Sequence, residues 1–223
     1  MQNRQTLLFD CDGVLYPLSQ LPTQDIVAAM KETYRQDLGL SGEEQQKISA
    51  ETRQTNRLGM FNYIKAMCEY KNYDFEQFCS QMAERIDYGN IAYNRNLARV
   101  IFHVAKHYNI GILTNNSRAH VAKVFEHAFG KSLEETEANG VKIFDITATE
   151  ENGVFWRKQP EGLALICRRN GYQPAQTILF DDAPANIESA HQIGMQGVLI
   201  NEQMSLQKAL MPFLKIRDKS FER

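Results

Sequence analysis

Thr6-Leu7-Leu8-Phe9-Asp10-Cys11-Asp12-Gly13-Val14-Leu15-Tyr16 carries the reading of the chain. Thr6 to Phe9 is a short apolar run that stops abruptly at Asp10, and Gly13 is a breaker three residues on. The length of the run and the breaker predict a buried strand feeding a functional loop.

Beyond this loop the chain changes character. From about residue 22 to 92 there is no convincing strand pattern. Ile26, Met30, Tyr34 and Leu38 recur every four residues, the spacing of one helix face. Thr23 can cap that helix and Gly39 can end it. Ser41 with Glu44 has capping-box spacing for a second helix. Phe61, Ile64, Met67 and Cys68 form another apolar face. Asp74 with Gln77 opens a helix carrying Phe78, Cys79, Met82 and Ile86. The segment reads as a helical module with its own small core.

Strands return after it. Leu97, Val100, Ile101 and Val104 mark a helix, and Ile110 to Leu113 reads as a strand ending at Thr114. Ser117 can cap the next helix, with Val121, Val124, Phe125 and Ala128 on one face. Ile143 to Thr147 is a weaker strand pattern. Glu161 to Arg169 is a helix closed by Gly171, Thr177 to Phe180 a strand ending at Asp181 and Asp182, and Gly197 to Ile200 a last short strand. Pro184 suits the first turn of the helix between those two strands. Alternating strands and helices predict a parallel α/β sheet covered on both faces. The charged residues after about 215 are expected to fray.

Composition sets limits. A length of 223 residues suits one domain with a large insertion, or two small domains. Lys plus Arg number 25 against 27 Asp plus Glu, a net charge of −2 that argues against a generally basic nucleic-acid binder. No apolar run approaches the roughly 20 residues of a membrane helix, and Met1 to Thr6 has no signal-peptide character. A cytoplasmic location is the expectation. Cys11, Cys68, Cys79 and Cys167 form no C-x-x-C pair and read as reduced structural thiols.

The chemistry-bearing residues all stand where apolar strands stop: Asp10 and Asp12, Thr114 with Asn115, Lys158, and Asp181 with Asp182. Strand ends of a parallel sheet share one edge, so these residues are expected to converge. Crowded carboxylates repel, and a divalent cation compensates them; oxygen-only ligands suit Mg²⁺. A lysine and a hydroxyl beside it would hold phosphoryl oxygens. One aspartate can attack phosphorus. A second can protonate the leaving oxygen and then deprotonate water. Asp10 and Asp12 fit those two tasks, and Gly13 lets the chain turn away at once. Each piece has a plainer reading as a turn, a helix cap or a solvated lysine. Their order along the chain, each after a strand, is what outweighs it.

In that order the sequence resembles the haloacid dehalogenase superfamily. Asp10-Cys11-Asp12-Gly13-Val14-Leu15-Tyr16 looks like its first motif, Ile112-Leu113-Thr114-Asn115 its second, Lys158 its third, and Phe180-Asp181-Asp182-Ala183-Pro184-Ala185-Asn186 its fourth. The resemblance implies a Rossmann-like core formed by residues 1–16 and 94–223 and an inserted all-helical cap over 17–93. It implies Asp10 as nucleophile and metal ligand. Asp12 becomes the general acid/base, with its backbone carbonyl on the metal. Thr114 and the Asn115 N–H would hold phosphoryl oxygens, and Lys158 would neutralise charge. Asp182 would be the third Mg²⁺ ligand, with Asp181 either a ligand or the group behind one. The third motif departs from the usual Lys-Pro, reading Arg157-Lys158-Gln159-Pro160, so alignment on the proline would substitute Arg157. Dehalogenase members lack the second aspartate, so Asp12 favours phosphoryl transfer.

Among subfamilies the chain is most similar to pyrimidine 5′-nucleotidase-like members, through Leu15-Tyr16-Pro17, Tyr93, Leu97, Ala119-His120-Val121 and Asn186-Ile187, although Gly13-Val14 departs from their usual Asn-Thr. The implied reaction is hydrolysis of a small phosphate ester such as a nucleoside monophosphate. A sugar phosphate, a phosphotyrosine, a mutase outcome and a non-enzymatic binding protein are the competing readings. His103 and His107, four apart on a helix, read as structural. Phe61, Tyr63, Tyr88 and Tyr93 read mostly as insertion core, and Trp156 as packing or as a shield against water.

Overall fold

A computed structural model describes residues 4–55 and 59–214. The chain opens with β1 (Thr6–Phe9) and a short 3₁₀ turn, Leu18–Gln20. Four helices come next: α1 (Thr23–Gln36), α2 (Gly42–Gln54), α3 (Met60–Lys71) and α4 (Phe75–Glu84). After α5 (Arg95–Val104) come β2 (Asn109–Leu113), α6 (Arg118–Phe129), α7 (Leu133–Ala138) and β3 (Val141–Phe144). A small antiparallel hairpin, β4 (Glu150–Glu151) and β5 (Val154–Phe155), precedes α8 (Pro160–Asn170). The chain closes with β6 (Thr177–Asp181), α9 (Pro184–Gln192), β7 (Gln196–Leu199) and α10 (Leu206–Leu214).

The main sheet has five parallel strands in the order β3-β2-β1-β6-β7. Its two faces reflect the two-residue period of a strand. Leu7 and Phe9, Ile110 and Ile112, and Ile178 and Phe180 point into one core with α5, α6, α10 and the inserted helices. Leu8, Leu113 and Leu179 point into a second core with Leu163, Ile166 and Ala190 of α8 and α9. Leu7, Leu8, Phe9, Ile112, Leu179 and Phe180 are all at or below 1% exposure, so burial on both faces explains why these strands read as unbroken apolar runs. The chain winds outward from β1 through β2 and β3 on one side and through β6 and β7 on the other. β1 and β6 therefore flank the switch point where sheets of this kind hold their ligands.

The inserted helices obey their sequence signals. Ser41 accepts from the Glu44 N–H at 3.2 Å and Glu44 reaches back to the Ser41 N–H at 2.7 Å, the predicted capping box, which contributes about 1 kcal/mol. Asp74 caps α4 through the Gln77 N–H at 2.7 Å. Phe61, Ile64, Met67, Cys68, Phe78, Cys79 and Met82 are buried as expected. The insertion is tied to the sheet side: the Asn62 amide bonds both the N–H and the carbonyl of Phe155, at 2.9 and 3.1 Å.

Two expectations need correction. Thr23 does not cap α1. The cap position is Pro22, and the Thr23 hydroxyl turns back toward the Leu21 carbonyl. The strand placed at Ile143 to Thr147 lies earlier, at Val141–Phe144. Asp145 ends it by accepting from the Thr147 N–H at 2.9 Å, which winds Ile146–Thr149 into a 3₁₀ turn. The expected fraying after about 215 lies outside the described residues. No described helix is long and apolar enough to cross a membrane.

Candidate active site

Parallel register brings the strand ends together. Phe9 pairs with Ile112 and Phe180, so Asp10, Thr114 and Asp181 gather at one edge. The edge holds its residues by backbone bonds: Asp10 N–H to the Phe180 carbonyl and Thr114 N–H to the Phe144 carbonyl, both 2.9 Å. Oxygens of Asp10, Asp181 and Asp182 lie within 4.8 Å of one another.

Lys158 enters this cluster from the loop before α8. It is 3% exposed, and its Nζ lies 2.5 Å from Asp10 Oδ1 and 2.8 Å from Asp181 Oδ2. Arg157 is exposed, so the structure places Lys158 and not its neighbour on the carboxylates. The approach depends on Gly162 in α8: a Cβ there would stand 2.1 Å from the Arg157 carbonyl oxygen. Asp181 is fully enclosed, and its other oxygen accepts from the Ala183 N–H at 2.9 Å and from Asn186 Nδ2 at 2.8 Å. Asp182 is half-buried.

One lysine does not balance three carboxylates. Burial, partly opposed by the Lys158 charge and reinforced by Asp181 and Asp12, lifts the Asp10 carboxyl to about 7. Burial and Asp181 likewise hold Asp182 above the ordinary carboxylate range. Burial alone would pull the Lys158 ammonium down, but Asp10 and Asp181 outweigh it and raise it. An oxygen-only cluster with surplus negative charge fits a hard divalent cation.

Asp12 faces elsewhere. Its Oδ1 accepts from the Tyr16 hydroxyl and lies 2.8 Å from His120 Nε2, and its Oδ2 accepts from Asn116 Nδ2 at 2.5 Å. Burial pushes this carboxyl up, yet the His120 charge and the hydrogen bonds from His120, Tyr16 and Asn116 prevail and hold it at about 2. Thr114 is 1% exposed, and its oxygen accepts from the Asn116 N–H at 3.0 Å. Among the described residues its own hydrogen has no acceptor. Asn115 is half-buried beside it.

Tyr16, Asn116 and His120 are contacts of Asp12 that the sequence does not announce. The only sequence signal is at His120, a polar residue one turn into the apolar face of α6.

Gly13 is fixed twice over. Its φ is +79°, and a Cβ would meet Asp182 Oδ2 at 2.4 Å. Gly13→Ala is therefore expected to displace Asp182 and strain the loop, at a cost of about 1 kcal/mol or more. Were Asp182 to hold a cation, apparent Mg²⁺ affinity, measured by titration calorimetry, should fall about tenfold or more. Unchanged affinity would show that Asp182 does not hold the cation.

Two cavities flank the edge. One of about 560 Å³ is lined by residues 13–19, Asn94, Leu97 and Asp182, and by Asn201, Glu202 and Ser205 after β7. The other, about 180 Å³, lies between Gly59–Asn62 of the insertion and Asn115, Asn116 and Arg157.

A parallel sheet that ends in gathered aspartates around a buried lysine defines an α/β enzyme site. The family model for haloacid dehalogenase-like hydrolases matches residues 5–194, and the chain belongs to that family. Among curated proteins none matches by sequence. Solved structures share the fold. A HAD family enzyme of Bacteroides thetaiotaomicron, in complex with magnesium and inorganic phosphate, is 17% identical over 89% of this chain and 94% of that one, with a TM-score of 0.54. CbbY of Rhodobacter sphaeroides, a mutant in complex with xylulose-(1,5)bisphosphate, is 17% identical over 91% and 90%, with a TM-score of 0.55. A 2-haloacid dehalogenase of Pseudomonas syringae is 16% identical over 90% and 87%, with a TM-score of 0.57.

Proposed function

We propose that the chain is a Mg²⁺-dependent phosphomonoester hydrolase that works through a phosphorylated Asp10, on a small ester such as a nucleoside monophosphate. One observation carries this: Asp10 and Lys158 stand in a three-carboxylate cluster while a second aspartate, Asp12, is held apart from it by three donors. Residues 1–16 and 94–223 would act as the catalytic core, and 17–93 as a cap over it.

Each role rests on local chemistry. The Cys11 N–H at 2.7 Å and Lys158 both bind Asp10 Oδ1, which leaves Oδ2 for attack on phosphorus. Lys158 offsets charge on Asp10 and on the incoming phosphoryl group. Thr114 donates its hydroxyl and Asn115 its backbone N–H to phosphoryl oxygens. Asp12, ionised in the free site, takes the proton that a monoester monoanion brings, passes it to the leaving oxygen, and in the second half takes a proton from the attacking water. Asp10, the Asp12 carbonyl and Asp182 would hold Mg²⁺, and Asp181 would orient Lys158. When bound, the cation supplies charge stabilisation to the phosphoryl oxygens. The dehalogenase neighbour has the same fold, so the separation from dehalogenation rests on Asp12. The 560 Å³ cavity beside Asp182 is of small-molecule size.

The test is phosphate release across nucleoside monophosphates, sugar phosphates and phosphotyrosine peptides, with and without EDTA. The highest kcat/KM is expected for a nucleoside monophosphate, with activity lost in EDTA. A preference for either other class overturns the substrate reading. EDTA-resistant turnover, or turnover of a 2-chloro acid with none of any phosphate ester, overturns the reaction.

Metal binding should also depend on pH in a definite direction. The folded-state carboxyl of Asp10, at about 7, lies above its ordinary value of 3.8. In metal-free protein its contribution to stability is thus complete below about pH 4 and is lost as pH rises through about 7. A cation restores what is lost only where the carboxylate is charged. The rise in Tm on adding Mg²⁺, read by differential scanning fluorimetry, should be larger at pH 8 than at pH 5.5. An equal or reversed difference would remove Asp10 from the cation site.

A further inference from the structure

We infer that Tyr88 and His120 form a positioning pair that aims the Asp12 carboxylate at the leaving oxygen; this rests on the acid role proposed for Asp12. The three residues come from distant parts of the chain. Asp12 lies in the loop after β1, Tyr88 in the segment leaving α4, and His120 in the first turn of α6. His120 Nε2 stands 2.8 Å from Asp12 Oδ1, and His120 Nδ1 stands 3.0 Å from the Tyr88 hydroxyl. Tyr88 and His120 are 2% and 1% exposed, so water does not compete for either contact.

The acceptor at one end sets the hydrogen-bond roles. A carboxylate only accepts, so Nε2 carries the hydrogen that faces it. Nδ1 meets the Tyr88 hydroxyl in either form of the ring: the hydroxyl donates to a neutral imidazole and accepts from the imidazolium. Asp12 thus sets which nitrogen faces it with a hydrogen, and Tyr88 holds the ring at the other nitrogen.

The other two donors on Asp12 cannot do the same work. Tyr16 stands four residues along the same loop as Asp12, so its contact ties the carboxyl to no other element. Asn116 stands half-buried in the turn after β2. His120 sits on a helix whose end is set by Ser117, which accepts from the His120 N–H at 3.3 Å. The terminal torsion of an aspartate is broad and soft, so its aim depends on donors whose own positions are locked. The pair also links the acid to the chain that returns from the helical insertion. It leaves the Asp12 proton transfer as the chemical step and changes only where the carboxyl points.

Positioning of an acid has a signature that packing lacks: its loss matters more as the leaving group becomes more basic. kcat/KM with Mg²⁺ is measured for p-nitrophenyl, phenyl and alkyl phosphates in the full chain. Asp12→Asn sets the reference, with a loss about 100-fold greater for the alkyl ester than for the nitrophenyl ester. For His120→Leu the excess loss on the alkyl ester is expected to be about tenfold or more. His120→Gln, which keeps an amide donor at that reach, should recover most of this excess. Tyr88→Phe, which removes one oxygen, should show an excess of about threefold or more. Losses equal across the three esters in His120→Leu overturn the inference; if that variant does not fold, equal losses in Tyr88→Phe do so. In either case a steep Asp12→Asn series leaves the acid role standing. A flat Asp12→Asn series instead overturns the acid role and the inference with it.

Discussion

Asp10→Asn is expected to abolish turnover while leaving the fold intact. The two halves of this expectation come from the same contacts. Asp10 Oδ1 accepts from the Cys11 N–H at 2.7 Å and from Lys158 at 2.5 Å, and an asparagine carbonyl oxygen can accept both. The carboxylate is 8% exposed and its pKa is raised, so its charge is a cost to the metal-free fold. A neutral amide removes that cost. The variant should therefore melt no lower than the parent in EDTA above pH 7. Its nucleophilicity is another matter, because the amide cannot attack phosphorus. Loss of a covalent nucleophile typically lowers kcat by on the order of 10⁴–10⁶. Acid-quenched protein incubated with ³²P-labelled ester should carry label in the parent and none in the variant. Turnover above about 1% of the parent would remove Asp10 from the nucleophile role, since so small a loss lies far below that range.

Much of this was legible in the residues, and the reason is the sheet. A strand buried on both faces must be apolar throughout, so β1, β2 and β6 show as short unbroken runs. The polar residues at their ends, Asp10, Thr114 and Asp181, then stand out by contrast. The helices of the insertion were legible where a side chain closes its own turn, as Ser41 with Glu44 and Asp74 with Gln77 do. Thr23 carries the same chemistry, but Pro22 already sets the helix start and leaves the threonine one position inside.

The elements not anticipated each had a countervailing signal. Ser205 and the spacing of Leu206, Leu210 and Phe213 suit a helix, yet Pro212 lies within it. Asn152-Gly153 is a hairpin turn signal, but its strands have two residues each. Ser132 and Glu135 form a capping box for a helix of six residues, too short for periodicity to show. The environment of Asp12 is of a different kind. Its partners Tyr16, Asn116 and His120 are 4, 104 and 108 residues away. Only tertiary packing joins the two distant ones to it, and local pattern holds no record of that.

Lys158→Met is expected to give the largest loss of stability of any single change at the site. Lys158 is the only cation that the structure places against Asp10 and Asp181 among the described residues, and all three are buried. Methionine has similar length and fills the space, so little of the effect is a cavity. The remainder is two enclosed carboxylates without their counter-charge. Breaking a buried ion pair from one side costs about 3–5 kcal/mol. For a chain of this size each kcal/mol moves Tm by about 2–4 °C, so a fall of roughly 6–20 °C is expected at pH 8. The pH dependence identifies the cause. Without the ammonium, Asp10 is raised further above its unfolded value, and the stability contribution returns as pH falls and the carboxyl takes up a proton. The deficit relative to the parent should therefore shrink between pH 8 and pH 5.5. A packing defect would be equal at both. Arg157→Ala serves as the comparison, because an exposed arginine should change stability by less than about 0.5 kcal/mol. If Arg157→Ala were the more damaging of the two, the third-motif lysine would have been placed one residue too late. Activity should fall with Lys158→Met as well, by about 10²–10³ in kcat, the usual consequence of losing one group that meets developing charge. Mg²⁺ should recover part of the lost Tm without recovering the rate, because a cation can offset the carboxylates while the phosphoryl group still lacks the ammonium.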